Sequence, residues 1–303
     1  MKLIKPSFEI LEQGPGLDGI YQQIEMAGRT CYRSQRPEGQ AAKDFVDRMI
    51  ASQHYAMLEH GTVYLRDCRN LEYENNTELV ECPHTLDKYS TNPYSKVRYT
   101  SDCIYVTTNY RVIVENNWLD DLKYLCEPTE YHEKRVTVRF TTDRGVSHEF
   151  VRHRVFSFAQ ESTRYCNYSK DKFGNELTFI IPSWYNKETD SAVKLKFLNY
   201  LTTTEGLYLD LLRGSYWAKK VIEGGATYEK FENIEKVFAP LTPQQARQVL
   251  PNALKTELVM TGFVSDYQHF FDLRVRGITG TPHPDAKALA EPLMYEFKKR
   301  DWI

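Results

Sequence analysis

No stretch of the 303-residue chain approaches the ~20 consecutive apolar residues needed to cross a bilayer, and the opening MKLIKPSFEILEQ has no long apolar run. Neither a membrane partner nor a cleaved leader is expected. Net charge is nearly absent as well: 39 basic and 41 acidic residues leave a formal −2. Domains that bind polyanions broadly are markedly basic, so no nucleic-acid partner is expected. Cysteines at redox or metal spacing are missing. The six cysteines (Cys31, Cys68, Cys82, Cys103, Cys126, Cys166) form no Cys-x-x-Cys motif and are too sparse for a disulfide scaffold, so free thiols in a reducing cytoplasm are expected. Low-complexity segments and internal repeats do not occur. What the chain does have is rings. Its 21 Tyr and 15 Phe suit stacking on planar ligands, and suit cores and subunit contacts equally. The length allows one large domain or two ordinary ones.

Hydrophobic spacing outlines the elements. Lys2 to Leu11 reads as a strand, and Leu17, Ile20, Ile24 and Met26 recur at helical spacing up to Cys31. A second helix spans Ala41 to Ser52. Residues 62–134 are harder to order, with strand-like Ile104–Thr108 and Arg111–Val114 and a helix-like Trp118–Leu125. Arg135–Phe140 alternates with period two and predicts a half-buried strand. Ser147 is placed to cap a helix that carries the residues up to Arg154. Glu176–Ile181 predicts a strand and Ala192–Glu223 a long helix. Further helices are predicted from Pro243 to Leu250, Thr261 to Arg276 and Asp285 to Lys299.

The densest chemistry lies in Val151–Tyr165, where Arg152, His153, Arg154, Ser157, Ser162 and Arg164 are interleaved with aromatics. A guanidinium stays charged and resists full burial, and its planar fork of donors suits phosphate or carboxylate. A small anionic ligand is therefore expected. A solvated face with local ion pairs is the plainer alternative, but such faces rarely hold this many aromatics and only one acid, Glu161. Ser162 has no histidine or lysine beside it to act as an activating base, which points to hydrogen bonding rather than nucleophilic attack. Glu149 stands three residues before Arg152, so on a helix the two share a face. His148-Glu149 with His153 misses the His-Glu-x-x-His zinc pattern by one residue. His54 and His60 are six apart, unsuited to one metal on a helix. No metal site is expected.

Arg152-His153-Arg154, then seven residues, then Ser162, with Arg164-Tyr165 adjoining, resembles the signature of the flavin-dependent thymidylate synthases. Four further segments resemble that family in the same order. They are Gly28-Arg29-Thr30-Cys31-Tyr32; His54 with Glu59-His60; Ala246-Arg247 with Leu250-Pro251; and His269 to Arg274 followed by His283-Pro284. The chain departs from the family at Ala56-Met57, where a Thr-Pro pair is frequent. It departs again at Phe263 and Ser265, where a polar residue and an arginine usually contact the flavin dinucleotide.

The resemblance implies an α+β fold, a central antiparallel or mixed sheet flanked by helices, in a single domain over residues 1–303 with an inserted subdomain at about 62–134. It implies reductive methylation of dUMP to dTMP, with methylenetetrahydrofolate as carbon donor and FAD reduced by NADPH. A cytoplasmic homotetramer with shared active sites is implied too. Matched residue by residue, Arg152, Arg274 and Ser162 take catalytic roles. Glu149, Gln160, Arg164 and Arg247 join them around the nucleotide. Cys31, His54, His153, Arg154, His269 and His283, with Arg152, line the cofactor. Glu149 stays open between the uracil and a pairing with Arg152, and Cys166 matches no family role. The same scaffold acting on another pyrimidine nucleotide, or a flavin-free nucleotide-binding homologue, are the alternatives.

Overall fold

The computed structural model describes residues 1–68, 85–213, 217–222, 225–230 and 240–303. The order begins β1 (Lys2–Ile4), β2 (Ser7–Leu11), α1 (Gly16–Tyr32), α2 (Ala42–Ala51), β3 (Thr62–Cys68), β4 (Lys96–Tyr99), β5 (Cys103–Asn109) and α3 (Tyr110–Glu115). It continues with β6 (Arg135–Asp143), α4 (Arg144–Phe150), β7 (Ser157–Gln160), β8 (Thr178–Ile180), α5 (Ser191–Arg213), β9 (Trp217–Ile222) and β10 (Gly225–Lys230). α6 (Pro243–Ala246), β11 (Lys255–Phe263), α7 (Val264–Phe271) and α8 (Pro284–Lys299) complete it. The architecture is α+β, and the described residues fall into two compact units.

The larger unit comprises Phe8–Phe140, Val151–Gln160 and Leu258–Ile303. Its main core joins Ile20 and Ile24 of α1 and Val46 of α2 to Val63 and Leu65 of β3, Ile104 and Val106 of β5, and Ile113 of α3. The 62–134 stretch therefore packs into the same core as the N-terminal helices. Within it β3, β5 and β4 form an antiparallel sheet in that order. A four-stranded sheet runs β2-β6-β11-β7. Gly262 of β11 has to be glycine, because a Cβ there would fall 2.3 Å from the Phe156 ring. Tyr267 and Phe271 of α7 meet Phe297 of α8 with ring centroids 4.7 and 5.3 Å apart.

The smaller unit comprises Met1–Ser7, Thr141–Phe150 and Glu161–Glu257. β1 and β8 pair in parallel, and α5 buries Leu201, Thr204, Tyr208 and Leu212 along one face. Those positions pack on Tyr168, Leu177, Phe179, Ala246 and Leu254.

Several sequence expectations are corrected. The Lys2–Leu11 strand is two strands, interrupted at Lys5-Pro6, where proline brings no N–H to a ladder. Arg111–Val114 lies in helix α3, because the Asn109 side chain accepts the Val112 N–H at 3.2 Å and starts a helix where β-branched residues suggested a strand. Trp118–Leu125 forms a 3₁₀ turn over Leu119–Tyr124. Ser147 does not cap α4. Asp143 Oδ1 accepts the Val146 N–H at 2.9 Å, while Ser147 Oγ donates back to Arg144 O. α4 also stops at Phe150, so Arg152-His153-Arg154 lies in the following turn and the helical spacing of Glu149 and Arg152 does not apply. α5 ends at Arg213, with Trp217–Ile222 a strand and Glu223 outside the described residues. Thr261–Phe263 finishes β11 rather than opening a helix.

The expectation of free thiols fails for one pair. Cys68 and Cys103 face each other in the β3–β5 register, Cα atoms 4.0 Å apart, and are disulfide-bonded. Cys31, Cys126 and Cys166 are not disulfide-bonded, and Cys82 lies outside the described residues. Among the described residues no helix is long and apolar enough to cross a membrane. Asp143→Ala removes the cap of α4, and its urea unfolding is expected to show a loss of ~1 kcal/mol with an unchanged denaturant slope.

Candidate functional site

In the larger unit, the turn after α2 delivers His54 to a cavity of about 440 Å³ that Cys31, Phe45, Met49, Met57 and Arg111 also line. Gln53 makes the turn in the left-handed region, at φ 57°. Burial raises the Cys31 thiol pKa, opposed by the Gln160 main-chain hydrogen bond. Arg111 was missed by sequence reasoning, because it sits in α3, outside the family-like segments. Its guanidinium pairs with Glu59 at 2.5 Å and Glu115 at 2.9 Å, so the 62–134 stretch holds the Glu-His segment from the side.

His60 points inward, not toward that cavity. It is fully buried, with Nδ1 2.8 Å from Thr261 Oγ1, which in turn lies 2.9 Å from Thr137 Oγ1. Burial first, then the charge of Arg135, lowers its pKa to about 3, so it is neutral near pH 7.

The turn after α4 leaves Arg152 and Arg154 exposed and tucks His153 inside. His153 Nε2 lies 3.0 Å from Arg274 Nε. An arginine only donates, so the imidazole accepts at Nε2 and keeps its proton on Nδ1. Burial, then Arg274 and His269, lower its pKa to about 4. The Phe270 ring stands edge-on at 5.0 Å and His269 at 6.1 Å. Arg274 itself is presented by a π-helical turn over Asp272–Arg276, closed by Gly277 at φ 68°; such turns recur at functional sites. His283 stands exposed at the start of α8, ahead of Pro284 at the first helical position. The two departures from the family pattern are engaged internally. Arg135 and Lys96 lie over the buried Phe263 ring at 5.5 and 5.7 Å, and Ser265 Oγ donates to the Glu133 carboxylate.

In the smaller unit, Ser162 anchors a tight turn. Its Oγ accepts the Arg164 N–H at 3.2 Å, and its carbonyl accepts the N–H groups of Tyr165 and Cys166. Arg164 Nε donates to Gln244 Oε1 at 3.1 Å, with the Tyr165 ring 5.3 Å from its guanidinium. Gln244 belongs to α6, which opens with a Thr242–Gln245 capping box and Pro243. Arg247 follows one turn later and is exposed. Glu149 is partly buried in α4, and Cys166 is fully buried.

Sequence reasoning also missed Arg144, which nothing but its place at the start of α4 distinguishes. Its Nη1 is buried with no hydrogen-bond partner among the described residues. Burial lowers its pKa, Tyr168 and Glu161 oppose the drop, and the positive charge of Arg247 adds to it. The nearby acid Glu161 is already taken, by Tyr168 Oη at 2.8 Å and Lys255 Nζ at 2.7 Å. Among the described residues neither Arg144 nor Arg247 has a carboxylate in ion-pair reach. Two repelling cations without an ion-paired acid form an arrangement that an oxyanion would relieve.

Residues 127–301 match the family described as thymidylate synthase complementing protein. The chain belongs to that family. The matched span is more than half of the chain and contains the Arg152–Ser162 signature, Arg247 and Arg274, but not Cys31 or His54. A flavin-dependent thymidylate synthase of Pyrococcus furiosus is 26% identical over 230 residues, covering 72% of this chain and 80% of the relative. One of Corynebacterium efficiens is 33% identical over 135 residues, covering 43% of this chain and 45% of the relative, so the match spans under half of that protein's length. Among solved structures, the UMP/dUMP methylase PolB of Streptomyces cacaoi bound with 5-Br UMP aligns at a TM-score of 0.43 and 13% identity, covering 99% of this chain and 92% of that one.

His60 and His153 bind protons less readily in this family member than in its unfolded chain, whose histidines titrate near ~6.5. Between about 4 and that value the unfolded state holds the extra protons, so acid favours unfolding. Stability from urea unfolding is expected to fall as pH drops through this window, by up to ~1.4 kcal/mol per pH unit for each histidine. His153→Gln is expected to remove its share of the slope.

Proposed function

We propose that this chain converts dUMP to dTMP, with methylenetetrahydrofolate as carbon donor and FAD reduced by NADPH as reductant, acting as a homotetramer in the cytoplasm. We read its fold as that of the flavin-dependent thymidylate synthases, a single domain with 62–134 inserted. The observation that carries this reading is the pair Arg144 and Arg247, with no carboxylate in ion-pair reach among the described residues, in a member of the thymidylate synthase complementing family. A nucleotide phosphate is the complement such a pair lacks.

Arg164 and Arg247 take the phosphate in this reading, joined by Arg144. Ser162 accepts a main-chain N–H, which leaves its own O–H to donate to a phosphate oxygen. No imidazole or amine is hydrogen-bonded to it among the described residues, so it acts as a donor and not as a nucleophile. Glu149 and Gln160 take the uracil edge. Arg152 and Arg274 stabilise negative charge developing on the pyrimidine, an effect typically worth on the order of 10²–10³ in rate. Neutral His153 accepts the Arg274 Nε–H and so helps orient its guanidinium.

The lining of the Cys31 cavity fits part of a flavin: Phe45, Met49 and Met57 offer apolar contact to a planar ring, and Cys31 and His54 offer polar groups. Cys31, His54, Arg152, His153, Arg154, His269 and His283 hold the cofactor in this reading. Bound there, the flavin supplies the hydride that no side chain can.

The test is dTMP formation and release of label from carbon 5 of dUMP by the purified protein with FAD, methylenetetrahydrofolate and NADPH, with UMP and CMP in parallel. Turnover of dUMP by a yellow protein is expected. Arg144→Met and Arg247→Ala are each expected to raise KM for dUMP roughly tenfold, the loss of one charged contact of ~1.5 kcal/mol, with flavin absorbance unchanged. A colourless protein that refuses FAD yet binds dUMP overturns the proposal, as does preferential turnover of UMP or CMP.

A further inference from the structure

A second cavity of about 300 Å³ lies in the larger unit and shares no lining residue with the Cys31 cavity. Its wall includes Lys134 and Arg135, neighbours at the start of β6, and Gln23 from α1. Arg135 is only 9% exposed. Its Nη1 donates to Thr62 Oγ1 at 3.4 Å and its Nη2 to the Glu59 carbonyl at 3.1 Å, both neutral acceptors, and its Nε has no partner. No carboxylate stands in ion-pair reach of it among the described residues. Burial lowers its pKa to about 10. Lys134 has no carboxylate at ion-pair distance among the described residues, and Glu12 acts on it only from farther off. Its ammonium lies 4.2 Å from the centre of the Trp302 ring, and burial lowers its pKa too.

Gln23 is 6% exposed, and its Nε2 donor is unsatisfied. The acids that line this cavity, Glu12 and Glu127, are exposed, and Glu12 is engaged by Arg300 at 3.1 Å. Two buried donors on the wall of the cavity, Arg135 Nε and Gln23 Nε2, are thus unanswered among the described residues, while Lys134, Glu12 and Glu127 are its exposed charged residues. A buried cation without a counter-charge costs stability, and an anion beside it offsets that cost.

We propose that this cavity binds a small oxyanion, the carboxylate or phosphate of a small molecule, with Lys134 and Arg135 as its cationic wall and Gln23 as a neutral donor. The volume, at the lower end of ligand pockets, restricts the occupant to a molecule the size of a dicarboxylate or a phosphorylated fragment. The site is independent of the methylation reading, since none of its residues takes part in that chemistry.

Cys126 provides a local reporter, because it lines this cavity, is free and is partly exposed. The full-length protein, saturated with dUMP to occupy the nucleotide site, is treated with iodoacetamide in the absence of reductant. Alkylation of Cys126 and of Cys31 is followed by peptide mass spectrometry. Succinate and inorganic phosphate are the probes, with neutral succinamide and sodium chloride at matched ionic strength as controls. Roughly tenfold slower alkylation of Cys126 with succinate or phosphate is expected, with Cys31 unaffected and both controls inert. Whichever probe protects at the lower concentration identifies the oxyanion. Lys134→Met, at an exposed position, is expected to raise the half-protecting concentration about tenfold, equivalent to ~1.4 kcal/mol. Lys134→Arg, which keeps the charge should the Met variant fail to fold, is expected to retain protection. Absence of protection, equal protection by succinamide, or an unshifted concentration in folded Lys134→Met overturns the site.

Discussion

A guanidinium keeps its proton under any physiological condition, so every arginine drawn below the surface imposes a demand on its surroundings. This chain meets that demand in three ways. Arg111 receives two carboxylates, Glu59 and Glu115, and serves as a strut between α3 and the turn before β3. Arg274 donates its Nε–H to the nitrogen of a neutral imidazole, which helps fix its direction. Arg135 and Arg144 have acids nearby but no carboxylate in ion-pair reach among the described residues, and each keeps a buried nitrogen without a hydrogen-bond partner there. The way each cation is answered separates structural positions from positions where a ligand completes the charge balance. The burial that leaves Arg144 unanswered also strengthens its attraction for an incoming phosphate, since field strength rises as water is excluded.

Much of the candidate site was legible because its residues come in one short run. Arg152, His153, Arg154, Ser162 and Arg164 are visible as an improbable density of charge and rings, whatever their backbone conformation. Their support was less visible. The helix carrying them looked longer than α4 is, because residue spacing cannot show where a helix stops. Asp143, not Ser147, supplies the cap. Arg111-Val112-Ile113-Val114 has the composition of a strand, and one side chain, Asn109, turns it into a helix. With that segment misread, the reach of Arg111 to Glu59 had no basis in sequence. Arg144 carried no signal either, since its significance depends on a neighbour 103 positions away, Arg247.

Phe263 and Ser265 look in sequence like losses, since a polar residue and an arginine are common there in the family. In the fold they have other work. Phe263 lays its ring beneath two cations, Lys96 and Arg135, and Ser265 binds Glu133. Lys96 comes from β4, within the 62–134 stretch. Position 263 and that stretch are thus physically linked. An aromatic face at position 263 gives β4 a charged contact it would not find on an arginine or an amide.

The covalent link between Cys68 and Cys103 joins neighbouring strands at points 35 residues apart in the chain. A bridge of this kind holds the ends of the intervening segment together before folding as well as after it, so the entropy of closing that loop is not lost on folding. Insertions or deletions between the two cysteines should then cost this protein less than equal changes elsewhere, because closure of the ring no longer depends on its length. Such a tether makes the enclosed stretch a place where lineages can diverge in length while β3 and β5 keep their pairing.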